Sequence, residues 1–353
     1  MILCMDAYLE PMKYAAMFFP IIALLITLPF MIHQYRKYGS IPFLRILIIY
    51  SFVLYLLVIY FLVILPLPTK ESVANLAVPT IQIIPFKFIH DIVINMPQKG
   101  ILSILYNNDF YIALFNLLMH VPFGIYLRYY CKQPFFKVIL YSFLLSLFFE
   151  LTQLSALYGI YSRPYRLFDI DDLLLNTLGG GLGYLVMPLF TCFLPTRDNL
   201  DKKSYHKGLK VSILRRFITL IIDVVIYIII ASLFSIVINI KLSNLFSSAI
   251  CFIVIPLFKR QTIGQLILRV KVVNLDNCKT SWYKLLFRNF MSYILLFNFG
   301  NIYGLIDSKG LIIHIIIVII FIIDLFLMFI NKRDKFIYET LSFTKIVSII
   351  NMS

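Results

Sequence analysis

Apolar residues run along this chain in long blocks separated by short polar stretches. The blocks near 14–32, 46–65, 110–127, 138–157, 172–194, 217–239 and 311–330 carry few charges, and those near 244–258 and 290–306 are less clean. A helix needs about 20 mostly apolar residues to cross the hydrocarbon core of a bilayer. The pattern predicts nine spans and an all-α, polytopic integral membrane protein. Composition agrees: 61% of residues are hydrophobic and 14% charged, whereas soluble domains are about half apolar and about a quarter charged.

The net charge of +15 is distributed by side. The loop after the first block holds Arg36, Lys37 and Arg45, and the loop after the third holds Arg128, Lys132 and Lys137. The loop after the fifth runs from Arg197 to Arg216 with Lys202, Lys203, Lys207, Lys210 and Arg215 between, and the next basic loop spans Lys259 to Arg288. The tail adds Lys332, Arg333 and Lys335. Basic loops face the cytoplasm, so the N-terminus is expected outside and the C-terminus inside. No basic groove with interleaved aromatics lies outside the spans, so nucleic acid is not an expected partner.

Cys4, Cys131, Cys192, Cys251 and Cys278 form no CxxC and have no partner histidines, which argues against a zinc site or disulfide framework. Asp6 and Glu10 precede the first block, where a cleaved signal would carry basic residues, so that block is expected to remain as a span. The polar segment "PTRDNLDKKSYHKGLKVSILRR" at 195–216 divides the chain into a five-span domain (1–194), a basic cytoplasmic linker (195–213) and a four-span domain (214–353). No repeat relates the halves, which weakens an inverted-repeat transporter.

Polar side chains inside spans are costly and are candidates for function. Asn116 and His120 share a face of the third span, Glu150 and Gln153 a face of the fourth, and Asp172 and Asn176 a face of the fifth. The buried members lie roughly 6 to 15 Å below the outer surface on the helical rise. Glu150 needs partners there, and His120, Arg163 and Arg166 are available. An outward-open polar pocket is expected, with Asn116, His120, Glu150, Gln153, Arg163, Arg166, Asp169, Asp172 and Asn176 binding a ligand. Simpler uses exist: His120 as a hydrogen-bonded structural residue, and Asp169 or Asp171 as a cap on the fifth helix. No metal or cofactor is expected. Gly179 and Gly183 form a GxxxG that lets helices approach closely.

The segments "IIPFKFI" (83–89), "NLLMHVPFGIYL" (116–127), "ELTQ" (150–153) and "RLFDIDDLLLNTLGGGLGY" (166–184) resemble the VanZ-like family in order and spacing. The resemblance singles out Asn116, Pro122, Phe123, Gly124, Glu150, Gln153, Arg166, Asp169, Asp172, Asn176 and Gly179. It implies a bacterial, Gram-positive plasma membrane protein of the cell envelope. The family's namesake is associated with resistance to the glycopeptide teicoplanin, with no reaction assigned. The second half resembles the RDD family, named for one arginine and two aspartates, at "LRRFITLIIDVVIY" (214–227), "QTIGQLILRVKVVN" (261–274) and "RDKFIYETLSFTKIV" (333–347). Its motif falls on Arg216, Asp223 and Glu339, the last standing where that family usually has aspartate. Arg216 and Asp223 also qualify as a structural pair.

Three functions follow. The leading one is an envelope protein whose pocket binds a lipid-linked or cell-wall ligand and lowers glycopeptide susceptibility, with Arg163 and Arg166 holding a phosphate or carboxylate. The second is an enzyme on envelope lipid or glycan, with Glu150 and Asp172 as paired carboxylates; no Ser-His-Asp arrangement or HExxH is present. The third is an ion or small-solute transporter with Asp223 on a cation path. Membrane lipids are expected partners, and the sequence leaves the oligomeric state open.

Overall fold

The computed structural model describes residues 2–76, 79–96, 101–190, 194–291 and 335–350, with short stretches between 315 and 330. Among the described residues seven helices are long and apolar enough to cross a bilayer: Leu9–Tyr38, Phe43–Ile64, Asn108–Tyr129, Phe135–Leu154, Ile170–Phe190, Ile213–Ser235 and Ile240–Lys259. Each overlaps a block predicted from hydropathy. The predicted span 290–306 lies outside the described residues beyond its first two positions, and 311–330 is described only in part. The protein is a multi-pass, all-α membrane protein. The helices are α1 (Ile2–Tyr38), α2 (Phe43–Ile64), α3 (Lys70–Ala74), α4 (Lys87–Ile94), α5 (Asn108–Tyr129), α6 (Phe135–Leu154), α7 (Ala156–Gly159), α8 (Ile170–Phe190), α9 (Arg197–Gly208) and α10 (Ile213–Ser235).

The chain divides into two compact units, Met1–Ile26 with Phe43–Leu200, and Thr27–Pro42 with Asp201–Ser353. In the first unit α5, α6 and α8 form the centre. Small residues set their spacing: a Cβ at Gly124 would run into the carbonyl of Gly180, and one at Gly183 into the carbonyl of Val121. Lipid tails are as apolar as leucine, so helices in a bilayer gain by close van der Waals packing, which small residues permit. Aromatic rings join α2 to α5. Phe52 lies 4.7 Å from the Tyr126 ring and 6.2 Å from Phe123. The Tyr55 hydroxyl donates to the Met119 carbonyl at 2.8 Å.

Polar side chains start the helices. Asn107 accepts from the Asp109 and Phe110 amides at the head of α5, and Asp169 accepts from the Asp171 amide at 2.8 Å at the head of α8. Such caps satisfy amides that the helix leaves unpaired. A two-residue parallel pairing, β1 (Ile81–Gln82) with β2 (Phe168–Asp169), lays the strand before α4 against the entrance of α8. The hydropathy pattern, dominated by spans, did not reveal this pairing.

In the second unit, β3 (Val270–Asn274) pairs antiparallel with β4 (Thr344–Ser348). Arg215 is fully buried there and ties several segments together. It donates to the carbonyls of Leu268 at 2.7 Å, Arg269 at 3.0 Å, Gly208 at 3.1 Å and Gly39 at 3.3 Å, and to the Ser348 hydroxyl at 2.9 Å. Counted with its neighbours as one more loop charge, Arg215 gave no sign of this role. The segment predicted as a linker folds in good part as α9. Its first residues belong to the first unit, where Leu200 is buried and Asp198 pairs with Lys132.

Candidate functional site

Three helix faces of the first unit converge on one cavity. α6 presents Glu150 and Gln153 to it, and Ser142 and Ser146 are buried at helical spacing on the same helix outside the lining. α5 brings Asn116, and α8 brings Asp172 and Asn176. The cavity measures about 470 Å³, within the roughly 300–1,000 Å³ of small-molecule sites. Its polar lining is Asn116, Glu150, Gln153, Arg166, Asp169, Asp172 and Asn176, and its apolar lining includes Leu62, Val63, Ile112, Phe115 and Phe149.

The bonds within the cavity are specific. Glu150 is 3% exposed and accepts from the backbone amide of Asp169 at 3.0 Å. This amide, and none of the expected His120, Arg163 and Arg166 side chains, is the hydrogen-bond donor to Glu150 among the described residues. Asn116 donates to Asp172 at 2.5 Å, Asn176 to the Ser146 hydroxyl at 2.8 Å, and Gln153 to the Val63 carbonyl at 3.0 Å. Burial, joined by the charge of Asp171, raises the pKa of Asp169 above the ordinary carboxylate value; the Asp171 amide and Lys87 oppose the shift.

The arginines differ from expectation. Arg166 lines the cavity but donates to the Val63 and Leu65 carbonyls at 2.7 and 2.8 Å. Arg163 donates to the Leu76 carbonyl and does not line the cavity. Both engage backbone oxygens that α2 and the following segment leave over, which weakens their expected role on a phosphate. His120 is also outside the lining. It is fully buried behind Phe149, whose ring centroid lies 6.4 Å away, and neither ring nitrogen has a partner of normal hydrogen-bond geometry among the described residues.

Asp171 has a role that its sequence position did not disclose. One carboxylate oxygen accepts from the Phe86 amide at 2.6 Å and the other from the Phe88 amide at 2.9 Å. It therefore caps α4, while Asp169 caps α8. Thus "IIPFKFI" and "RLFDIDD" are held together by one carboxylate and one two-residue strand pairing. A smaller cavity of about 190 Å³ lies on the other side of Asn116, Asp169 and Asp172, with Lys87, Asp91, Asp109 and Asp171 on its wall. Among the described residues no group of three histidine, cysteine or carboxylate side chains is placed to hold a metal ion.

In the second unit Arg216 and Asp223 each make specific bonds. Arg216 pairs with Glu339 at 2.6 Å, and Arg288 pairs with the other oxygen of Glu339 at 3.1 Å. Glu339 is fully buried and also accepts from the Phe336 amide at 3.2 Å. Asp223 accepts from the Thr262 hydroxyl and the Gly264 amide, both at 2.7 Å, anchoring the "QTIGQ" turn. Arg288 was read only as one charge of a basic loop, and nothing in its local pattern marks it as the second partner of Glu339.

A bundle of membrane-spanning helices with charged and amide side chains gathered around a cavity defines a multi-pass membrane protein with an intramembrane polar site. Residues 52–191 match the VanZ/LLP1 family and residues 210–338 match the RDD family. The chain is a fusion of a VanZ-like domain with an RDD domain. No curated protein and no solved structure matches it.

Proposed function

We propose that this is a cell-envelope protein of the bacterial plasma membrane whose VanZ-like half binds a lipid-linked or cell-wall ligand in an outward-facing cavity. The carrying observation is the convergence of Asn116, Glu150, Gln153, Asp169, Asp172 and Asn176 on one cavity between α2, α5, α6 and α8. A purely structural polar set has no need of a cavity, since buried polar groups are satisfied most cheaply by each other. Sequestering or remodelling such a ligand would lower susceptibility to a glycopeptide.

The test is growth in teicoplanin of a sensitive Gram-positive host carrying empty vector, wild type, Glu150→Gln or Asp172→Asn, at matched membrane levels. Wild type is expected to protect and both variants to lose protection. Equal growth of wild type and empty vector overturns the resistance role. A second reading, catalysis on an envelope lipid or glycan, draws on Glu150 and Asp172 lining the same cavity. It requires new product when purified protein is incubated with labelled envelope lipids.

A further inference from the structure

The same cavity carries information about what enters it and from where. α2 and α5 run antiparallel. They are sealed at one level by Phe52, Tyr55, Phe123 and Tyr126, with the Ser51 and Tyr126 hydroxyls 2.7 Å apart. Past Met119 the cavity stands between them, with Leu62, Val63 and Leu65 on one side and Ile112 and Phe115 on the other. Ile112 is 59% exposed and Phe115 37% exposed, and both lie within a membrane-spanning helix. At that depth exposed apolar side chains face acyl chains. The mouth of the cavity is therefore a slot in the side of the bundle.

The chemistry at the end of the slot is one-sided. Each of the cavity's amide nitrogens and each terminal nitrogen of Arg166 already makes one donation, to Asp172, Ser146, Val63 and Leu65. Acceptors are left over. Asn176 is 5% exposed and its Oδ1 is buried without a partner. Glu150, Asp169 and Asp172 place three carboxylates against one guanidinium in the lining. Such a wall repels a bare anion and suits a positively charged hydrogen-bond donor.

We propose that the cavity takes a membrane lipid with an ammonium-bearing headgroup, which enters sideways from the bilayer between α2 and α5. The headgroup lies against Glu150, Asp172 and Asn176, and the acyl chains leave past Ile112 and Phe115. This rests on the reading of the cavity as a ligand site and adds the route and the headgroup class.

The experiment uses the full chain in phosphatidylglycerol vesicles and measures carbodiimide modification of Glu150 by mass spectrometry. The lipid-soluble dicyclohexyl reagent is expected to modify Glu150 much faster than a water-soluble carbodiimide, and Phe115→Trp, which narrows the slot, to slow it. Phosphatidylethanolamine at about ten times its Kd would occupy a single site enough to slow modification about tenfold. Phosphatidic acid, which has the phosphate without the ammonium, is expected to have little effect. Equal rates for the two reagents overturn the sideways route. Equal protection by the two lipids overturns the headgroup assignment. If soluble ethanolamine protects against both reagents, the ligand site stands and bilayer entry falls. If nothing protects, the headgroup assignment falls, even with the slot open to lipid, and the ligand-site reading is decided separately by the teicoplanin series.

Discussion

Buried charges in this chain sort into those that hold structure and those that face a cavity. Glu339 belongs to the first kind. It is fully buried and bridges Arg216 and Arg288. Removing one partner of a buried ion cluster leaves charge without compensation, so Glu339→Gln is expected to cost about 3 kcal/mol. A thermal unfolding series in detergent would read this as a large fall in midpoint. Glu339→Asp, with the residue that resemblance to the RDD family expects there, should lose less, because charge is kept and only reach is shortened. Equal stability of Glu339→Gln and wild type would show that the cluster is not structural. Glu150 was legible as a candidate from its position inside an apolar span, and Arg216 from the resemblance to the RDD family. Arg288 stayed hidden, because its partner Glu339 lies 51 residues away and no local periodicity links them. Likewise Asp171 read, as an alternative to Asp169, only as a cap on the fifth helix until its two oxygens were seen on the Phe86 and Phe88 amides.

At the scale of elements, hydropathy found the spanning helices because the bilayer imposes a length and an apolar composition on each. It was silent about α4 and the β1–β2 pairing, whose positions depend on bonds between segments more than 80 residues apart. The cavity's membership was largely legible, since helical spacing alone aligns Glu150 with Gln153 and Asp172 with Asn176. The apolar side of the cavity, supplied by the end of α2 with Ile112, Phe115 and Phe149, was not, because nothing in a uniformly apolar stretch marks which residues meet a neighbour. The capping of α4 makes a local prediction. Asp171→Ala removes both acceptors at its start, a change worth roughly 0.5–2 kcal/mol for a helix cap. Amide hydrogen exchange should quicken in residues 86–94 and stay unchanged in α5 and α6. Unchanged protection across 86–94 would mean that β1 and the surrounding packing, and not the carboxylate, fix α4.

For the whole molecule, orientation decides whether the cavity reaches the envelope side at all. From the alternation of basic loops, the segment between 259 and 288 is expected in the cytoplasm, and by parity the 166–172 charges at the opposite face. Cys278 lies in that basic loop and is exposed, whereas Cys251 is buried and Cys131 only partly accessible. In intact cells a membrane-impermeant maleimide should leave Cys278 unlabelled and should react with it after permeabilisation, a signal lost in Cys278→Ser. Tyr106 precedes α5 and is 82% exposed. In the Cys278→Ser background, Tyr106→Cys should label in intact cells. The reverse pattern at both sites would turn the cavity toward the cytoplasm. The ammonium-lipid slot would survive that reversal, since its chemistry depends on depth and lining alone, but access to an extracellular glycopeptide target would not. The two halves of the functional argument therefore separate at this measurement.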